Sequence, residues 1–129
     1  MRLRAPWVIS LLMLLSLGSA RPVTAQIVAT NANRFGLDQP AADLATAQAY
    51  TYRIYADGSP TAVVVPATCS GTTSPFLCAV PVSAAKLTPG AHTVTFTAAN
   101  VAGESVPSAG LTFQLVAAPV APANLRILP

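Results

Sequence analysis

The stretch Leu-Thr-Pro-Gly-Ala-His-Thr-Val-Thr-Phe-Thr-Ala-Ala-Asn-Val-Ala-Gly-Glu-Ser, residues 87–105, decides the fold class. It opens with a turn, because Pro89 fixes one dihedral and Gly90 frees the next. His92, Val94, Phe96 and Ala98 then alternate with Thr93, Thr95, Thr97 and Ala99. A period of two sends successive side chains to opposite faces of a strand. One face is apolar apart from the histidine and the other is threonine-rich, as expected of a sheet buried on one side. Residues 100–108, with Gly103, Glu104 and Pro107, read as a loop. Residues 111–116 read as a further strand that points Leu111, Phe113 and Leu115 one way.

The same pattern recurs upstream. Over residues 49–55, Tyr50, Tyr52 and Ile54 share one face, and Thr51, Arg53 and Tyr55 share the other. Asp57-Gly58 supplies the backbone freedom for a tight hairpin turn, and residues 61–65 (TAVVV) read as the returning strand, stopped by Pro66. Residues 26–30 and 34–38 are weaker strand candidates. Residues 39–48 (QPAADLATAQ) tolerate a helix but hold one strong apolar residue, Leu44, so a loop with a single turn is expected there. Short strands at close spacing with turns between them favour an all-β sandwich. Low charge and regular alternation argue against disorder.

Cys69 and Cys78 are the only cysteines, and they bracket a Ser-Gly-Thr-Thr-Ser-Pro tip. A redox-active pair is usually closer, as in Cys-x-x-Cys, so a structural disulfide is the expectation in an oxidising compartment. That compartment is implied by the start of the chain. Arg2 and Arg4 precede an apolar run over residues 7–17, and small residues follow. This is the layout of a secretory signal peptide, with cleavage after Ala20 or, preferably, after Ala25. The apolar run is short of the roughly 20 residues that span a bilayer as a helix. Residues 1–25 are therefore read as the signal, residues 26–118 as one domain and residues 119–129 as a Pro/Ala-rich tail. The expected location is secreted or periplasmic, with no stable membrane insertion after cleavage.

Cleavage also changes the charge. Arg2, Arg4 and Arg21 leave with the signal, and Arg34, Arg53, Lys86 and Arg126 then balance Asp38, Asp43, Asp57 and Glu104. A basic footprint for nucleic acid or anionic lipid is absent from the mature part.

Two segments resemble a known family. Residues 87–105 are similar to the end of a fibronectin type III domain, with its turn, alternating strand, Ala-x-Asn and Gly-Glu-Ser loop. Residues 50–58 (YTYRIYADG) are similar to that domain's third strand. The resemblance implies an immunoglobulin-like β-sandwich. His92 stands where the family usually has a tyrosine, and Phe35 and Leu37 occupy the segment that usually carries a tryptophan. The family's opening motif is missing from the N-terminal side, yet Pro119-Val-Ala-Pro122-Ala-Asn124-Leu125-Arg126-Ile127 is similar to it. That run reads either as a proline-stiffened tail or as a strand supplied to its own sheet or to a neighbouring molecule.

No catalytic set emerges. His92 is the only histidine, and its place on an apolar strand face argues for packing, with a hydrogen bond in place of the family's tyrosine contact. One histidine, two paired cysteines and four scattered acids give no metal-ligand spacing, and no cofactor motif is present. Tyr52, His92, Phe96 and Phe113 are expected to be structural. Arg53, Tyr55 and Asp57 form the candidate binding surface, together with the loops at residues 57–60, 70–75 and 101–107. The expected function is a non-enzymatic interaction or adhesion module that binds a protein or polysaccharide. A structural spacer from a repeat array and a carbohydrate-binding accessory unit are the alternatives.

Overall fold

A computed structural model describes residues 25–129. The expected signal peptide lies outside the described residues, apart from Ala25. The strands are β1 (Val28–Ala29), β2 (Arg34–Gln39), β3 (Thr51–Ala56), β4 (Val63–Val65), β5 (Thr68–Ser70), β6 (Phe76–Pro81), β7 (Gly90–Asn100), β8 (Gly103–Glu104) and β9 (Leu111–Leu115). A short helix α1 (Leu44–Ala49) precedes β3, and a 3-10 turn (Val82–Ala85) follows β6.

The strands form two sheets. The larger has the order β1-β9-β7-β3-β4, with β8 paired to the end of β7, and the smaller has the order β2-β6-β5. All pairings are antiparallel except β1 with β9, which is parallel with Val28 opposite Gln114. Both sheets turn one face inward, giving a two-layer β-sandwich. Phe35 from the smaller sheet meets Phe96 and Phe113 of the larger edge-on, with ring centroids 5.3 and 5.6 Å apart. Edge-to-face contact sets the positive rim of one ring against the negative face of another. Ile54, Val65, Val94 and Leu115 close around this trio from the larger sheet, and Val80, Phe76 and both cysteines do so from the smaller.

Local chemistry explains where the elements begin and end. Asp57 and Gly58 both adopt positive φ, 54° and 72°, and Ser59 N–H donates to the Ala56 carbonyl at 2.9 Å. Two consecutive left-handed residues match the twist of a hairpin, which is why Asp-Gly serves there. Pairing resumes at Val63 rather than Thr61, because Pro60 cannot donate a ladder hydrogen bond and Ser59 Oγ holds Thr61 N–H at 3.2 Å.

Residues 39–48, expected as a loop with a single turn, hold slightly more helix than that, because α1 covers Leu44–Ala49. Asp43 caps α1, its carboxylate accepting from Thr46 N–H at 2.8 Å. Ala47 is fully buried beneath the helix. Packing of this one small residue fixes the helix where periodicity gave little signal. The burial of β7 also departs from simple alternation. Val94 and Phe96 face the core as expected, but Thr97 and Ala99 are buried on the opposite face while Ala98 is only half-buried. The segment after β7 runs back along the strand's edge, where Ser105 N–H donates to Ala98 O at 2.8 Å and Ser108 N–H to Phe96 O at 2.9 Å, and it brings Glu104 against Thr97, whose hydroxyl donates to the carboxylate.

Among the described residues, no helix is long and apolar enough to cross a membrane.

Candidate functional site

The outer face of the larger sheet gathers the polar residues that face away from the core on β3 and β7. Register places Arg53 opposite Thr97 and Tyr55 opposite Thr95. The β7–β8 hairpin brings Glu104 over the same face, opposite Ala99. Tyr55 donates its hydroxyl to Glu104 Oε1 at 2.7 Å, and the Thr97 hydroxyl donates to the same oxygen. Arg53 Nη1 lies 3.8 Å from Glu104 Oε2. The hydrogen bonds from Thr97 and Tyr55, and then the Arg53 charge, hold the Glu104 carboxyl below its ordinary range. In return the Glu104 hydrogen bond pushes the Tyr55 phenol up. The ion pair itself is weak, since both side chains are about one-third exposed. What the cluster supplies is position: a ring and a guanidinium held on a rigid sheet.

Beside it runs an open groove of about 620 Å³, lined by Tyr55, Thr93, Thr95, Glu104 and Pro107, with Gly58 and Ser59 at one end. Its floor is a row of threonine methyl and hydroxyl groups, and the Thr93 and Thr112 hydroxyls are 2.9 Å apart. Such a lining offers both apolar contact and hydrogen bonding.

Asp57, the third residue of the sequence-derived surface, is held differently. Its Oδ2 lies 2.7 Å from His92 Nδ1, and its Oδ1 accepts from Thr93 N–H at 2.9 Å. His92 Nε2 lies 2.6 Å from the Thr88 carbonyl. Both ring nitrogens thus face acceptors, which a doubly protonated imidazole satisfies. The Asp57 hydrogen bond, followed by the Thr88 carbonyl, raises His92 above its ordinary value, while the His92 bond and then the Thr93 N–H hold Asp57 below its own. The side chain of His92 is 11% exposed and its ring centroid is 6.1 Å from that of Phe113. The arrangement ties the start of β7 to the β3–β4 turn. It also leaves no ring nitrogen free to take a proton from a hydroxyl, as a nucleophilic triad requires.

Tyr52, Phe96 and Phe113 lie in the core. Cys69 and Cys78 face each other across β5 and β6 and form a disulfide. The Tyr52 hydroxyl donates to the Ala47 carbonyl at 2.7 Å and lies 3.4 Å from Cys78 Sγ and 3.6 Å from Cys69 Sγ. One phenol therefore joins β3, α1 and the disulfide. Burial raises its pKa.

The structure brings Arg53 and Tyr55 together and places Asp57 in the neighbouring corner. Two groups of residues escape sequence reading. Glu104 is drawn onto the sheet face by hairpin register, and a Gly-Glu-Ser loop carries no sign of that return. Ser105 and Ser108 accept from Ala98 N–H and Phe96 N–H, each at 3.0 Å. Two serines flanking Pro107 were the available signal, because a proline cannot donate to the ladder and neighbouring side chains can fill in. Among the described residues, no group of three or more His, Cys, Asp or Glu side chains could hold a metal ion.

No family model matches the chain, and neither a curated protein nor a solved structure matches it.

Proposed function

We propose that the chain is an immunoglobulin-like sandwich of the fibronectin type III kind, acting outside the cytoplasm as a non-enzymatic module that binds a protein or polysaccharide. The strand order supports the fold assignment: β2-β6-β5 against β9-β7-β3-β4 follows the two-sheet arrangement of immunoglobulin-like domains. The bond from His92 to a carbonyl four residues upstream, at the start of β7, stands in for the tyrosine corner of such domains. A disulfide is in keeping with an oxidising compartment.

The observation that carries the binding reading is the Glu104 cluster. Its hydrogen bond holds the Tyr55 ring beside a groove lined by threonines, with the Arg53 guanidinium alongside, so the ring meets a ligand with little side-chain entropy left to lose. Tyr and Arg are the residue types that most often dominate binding energy.

The test compares the purified protein with an Arg53→Ala/Tyr55→Ala variant on immobilised polysaccharides and on extracytoplasmic protein fractions. A ligand kept by the native protein and weakened at least about tenfold by the double substitution is the expected result. Absence of any ligand across both panels, or binding indifferent to the substitution, overturns the proposal.

A further inference from the structure

The smaller sheet stops at β2. Among the described residues this strand pairs only with β6, so its other edge is bare along Arg34–Gln39. A bare edge is a row of unpaired peptide groups, a template for another strand. Between it and residues 105–111 the sandwich opens into a cleft of about 560 Å³. Phe35, Leu37, Phe96, Val106 and Leu111 line the cleft, and Asp38 is the only charged side chain in its lining. Val106 is 86% exposed and Leu111 39%, so apolar surface around the opening is left uncovered.

The same chain carries a segment with the complementary features. Leu125 and Ile127 are 99% and 98% exposed, and residues 116–129 belong to no strand. Pro119 and Pro122 stiffen the stem that leads to them, and Asn124, at φ 54°, turns the backbone just before Leu125. Arg126 between the two apolar residues is the only charge in residues 117–129.

We propose that residues 125–128 of a second copy of this chain add as a strand to the bare edge of β2. The face pattern fits. In β2, Phe35 and Leu37 turn toward the core while Arg34, Gly36 and Asp38 are exposed. An added strand in the same pleat sends Leu125 and Ile127 into the cleft and leaves Arg126 on the outer side with Asp38. Main-chain bonds supply the attachment, and a register that sets Leu125 and Ile127 beside Leu37 and Gln39 places Arg126 opposite Asp38, which Gly36 separates from Arg34 on the same face. Each copy offers one edge and one tail, so exchange is either reciprocal, giving a closed dimer, or one-way, giving a chain of molecules. The cleft and the Tyr55–Glu104 groove share Thr97 and Ser105 in their linings, but the strand contact is made by the β2 edge and the ligand contact by Arg53 and Tyr55, so substitutions at residues 125 and 127 and at residues 53 and 55 test the two independently.

The test is light scattering across a concentration series, with amide hydrogen exchange of β2, on the purified oxidised protein and on its Leu125→Asp/Ile127→Asp variant. Only exposed side chains change in that variant, so its fold is retained, which circular dichroism checks. The native protein is expected to gain mass with concentration and the variant to stay monomeric. A synthetic peptide of residues 119–129 added to the variant is expected to slow β2 exchange at least about tenfold, and the same peptide carrying both aspartates is expected not to. Three results overturn the proposal. They are a native protein that stays monomeric throughout, association that survives the double substitution, and β2 amides protected in a monomer, which would place the tail on its own sheet.

Discussion

The two sheets hold together in different ways. Along one side of β7 every segment has a partner: β9 over residues 90–94, Ser108 at Phe96, Ser105 at Ala98 and β8 at residues 99–100. Where Pro107 interrupts the ladder, two serine hydroxyls accept the amide hydrogens that a strand carbonyl would take. The smaller sheet has three strands, with β2 and β5 each paired only to β6 among the described residues, and a disulfide between directly opposed residues of β5 and β6. The larger sheet thus spreads its cohesion over many exchangeable bonds. The smaller one concentrates it in a covalent clip and one buried phenol. Among the described residues both sheets end on strands paired on one side only, β1 and β4 in the larger and β2 and β5 in the smaller; what sets the β2 edge apart is the apolar cleft beside it.

Breaking the clip is the severest way to test the contrast. Closing the loop from Cys69 to Cys78 contributes about 2.5–3 kcal/mol in the chain-entropy model. The Cys69→Ala/Cys78→Ala variant is therefore expected to melt more than about ten degrees below the native protein. Because Tyr52 touches both sulfurs, the loss should appear first in β5, β6 and α1 by hydrogen exchange. Equal weakening of β7 and β9 would show that the two sheets do not divide their cohesion in this way.

A gentler test acts on the larger sheet. His92 is raised above 6.5 in the folded chain, so its contribution is complete below that value and fades as pH rises through its folded pKa. Asp57 is lowered below 3.8, so its contribution is complete above that value and fades as pH falls through its folded pKa. The corner is thus strongest between about pH 4 and 6.5. His92→Gln should remove the decline in melting temperature above that window, an effect of about two degrees because Asp57 is half-exposed and screened. A variant that keeps the native pH profile would show that the corner bears no load.

The sequence made most of the strands readable where a strand buries one face. Tyr52 and Ile54 in β3, and Val94 and Phe96 in β7, announce themselves by alternation, because a pleated strand has only two sides. Three features were not legible, for one common reason. Helix α1 depends on Asp43 as a cap and on Ala47 finding a cavity. The burial of Thr97 depends on a later segment folding back, and Glu104 reaches Tyr55 through hairpin register. In each, a bond outside the two-residue alternation decides the outcome: Asp43 caps Thr46 within one turn, and Glu104 meets Thr97 across a short hairpin and Tyr55 across the sheet. Arg53 and Tyr55 were placed correctly on the outer face of β3, but the group that holds them was not visible. Alternation puts His92 on the inner side of β7, where its side chain is 11% exposed; its bonds to Thr88 and Asp57 come from turns that alternation does not register.

The central claim is that the chain forms two sheets with β2 in one and β3 in the other, although they are successive strands. Nuclear Overhauser contacts between backbone protons of the oxidised protein test it directly. The account predicts cross-strand contacts between Leu37 and Cys78, between Ile54 and Phe96, and between Val28 and Gln114, with no ladder joining Arg34–Gln39 to Thr51–Ala56. A continuous antiparallel ladder between those two segments would contradict it.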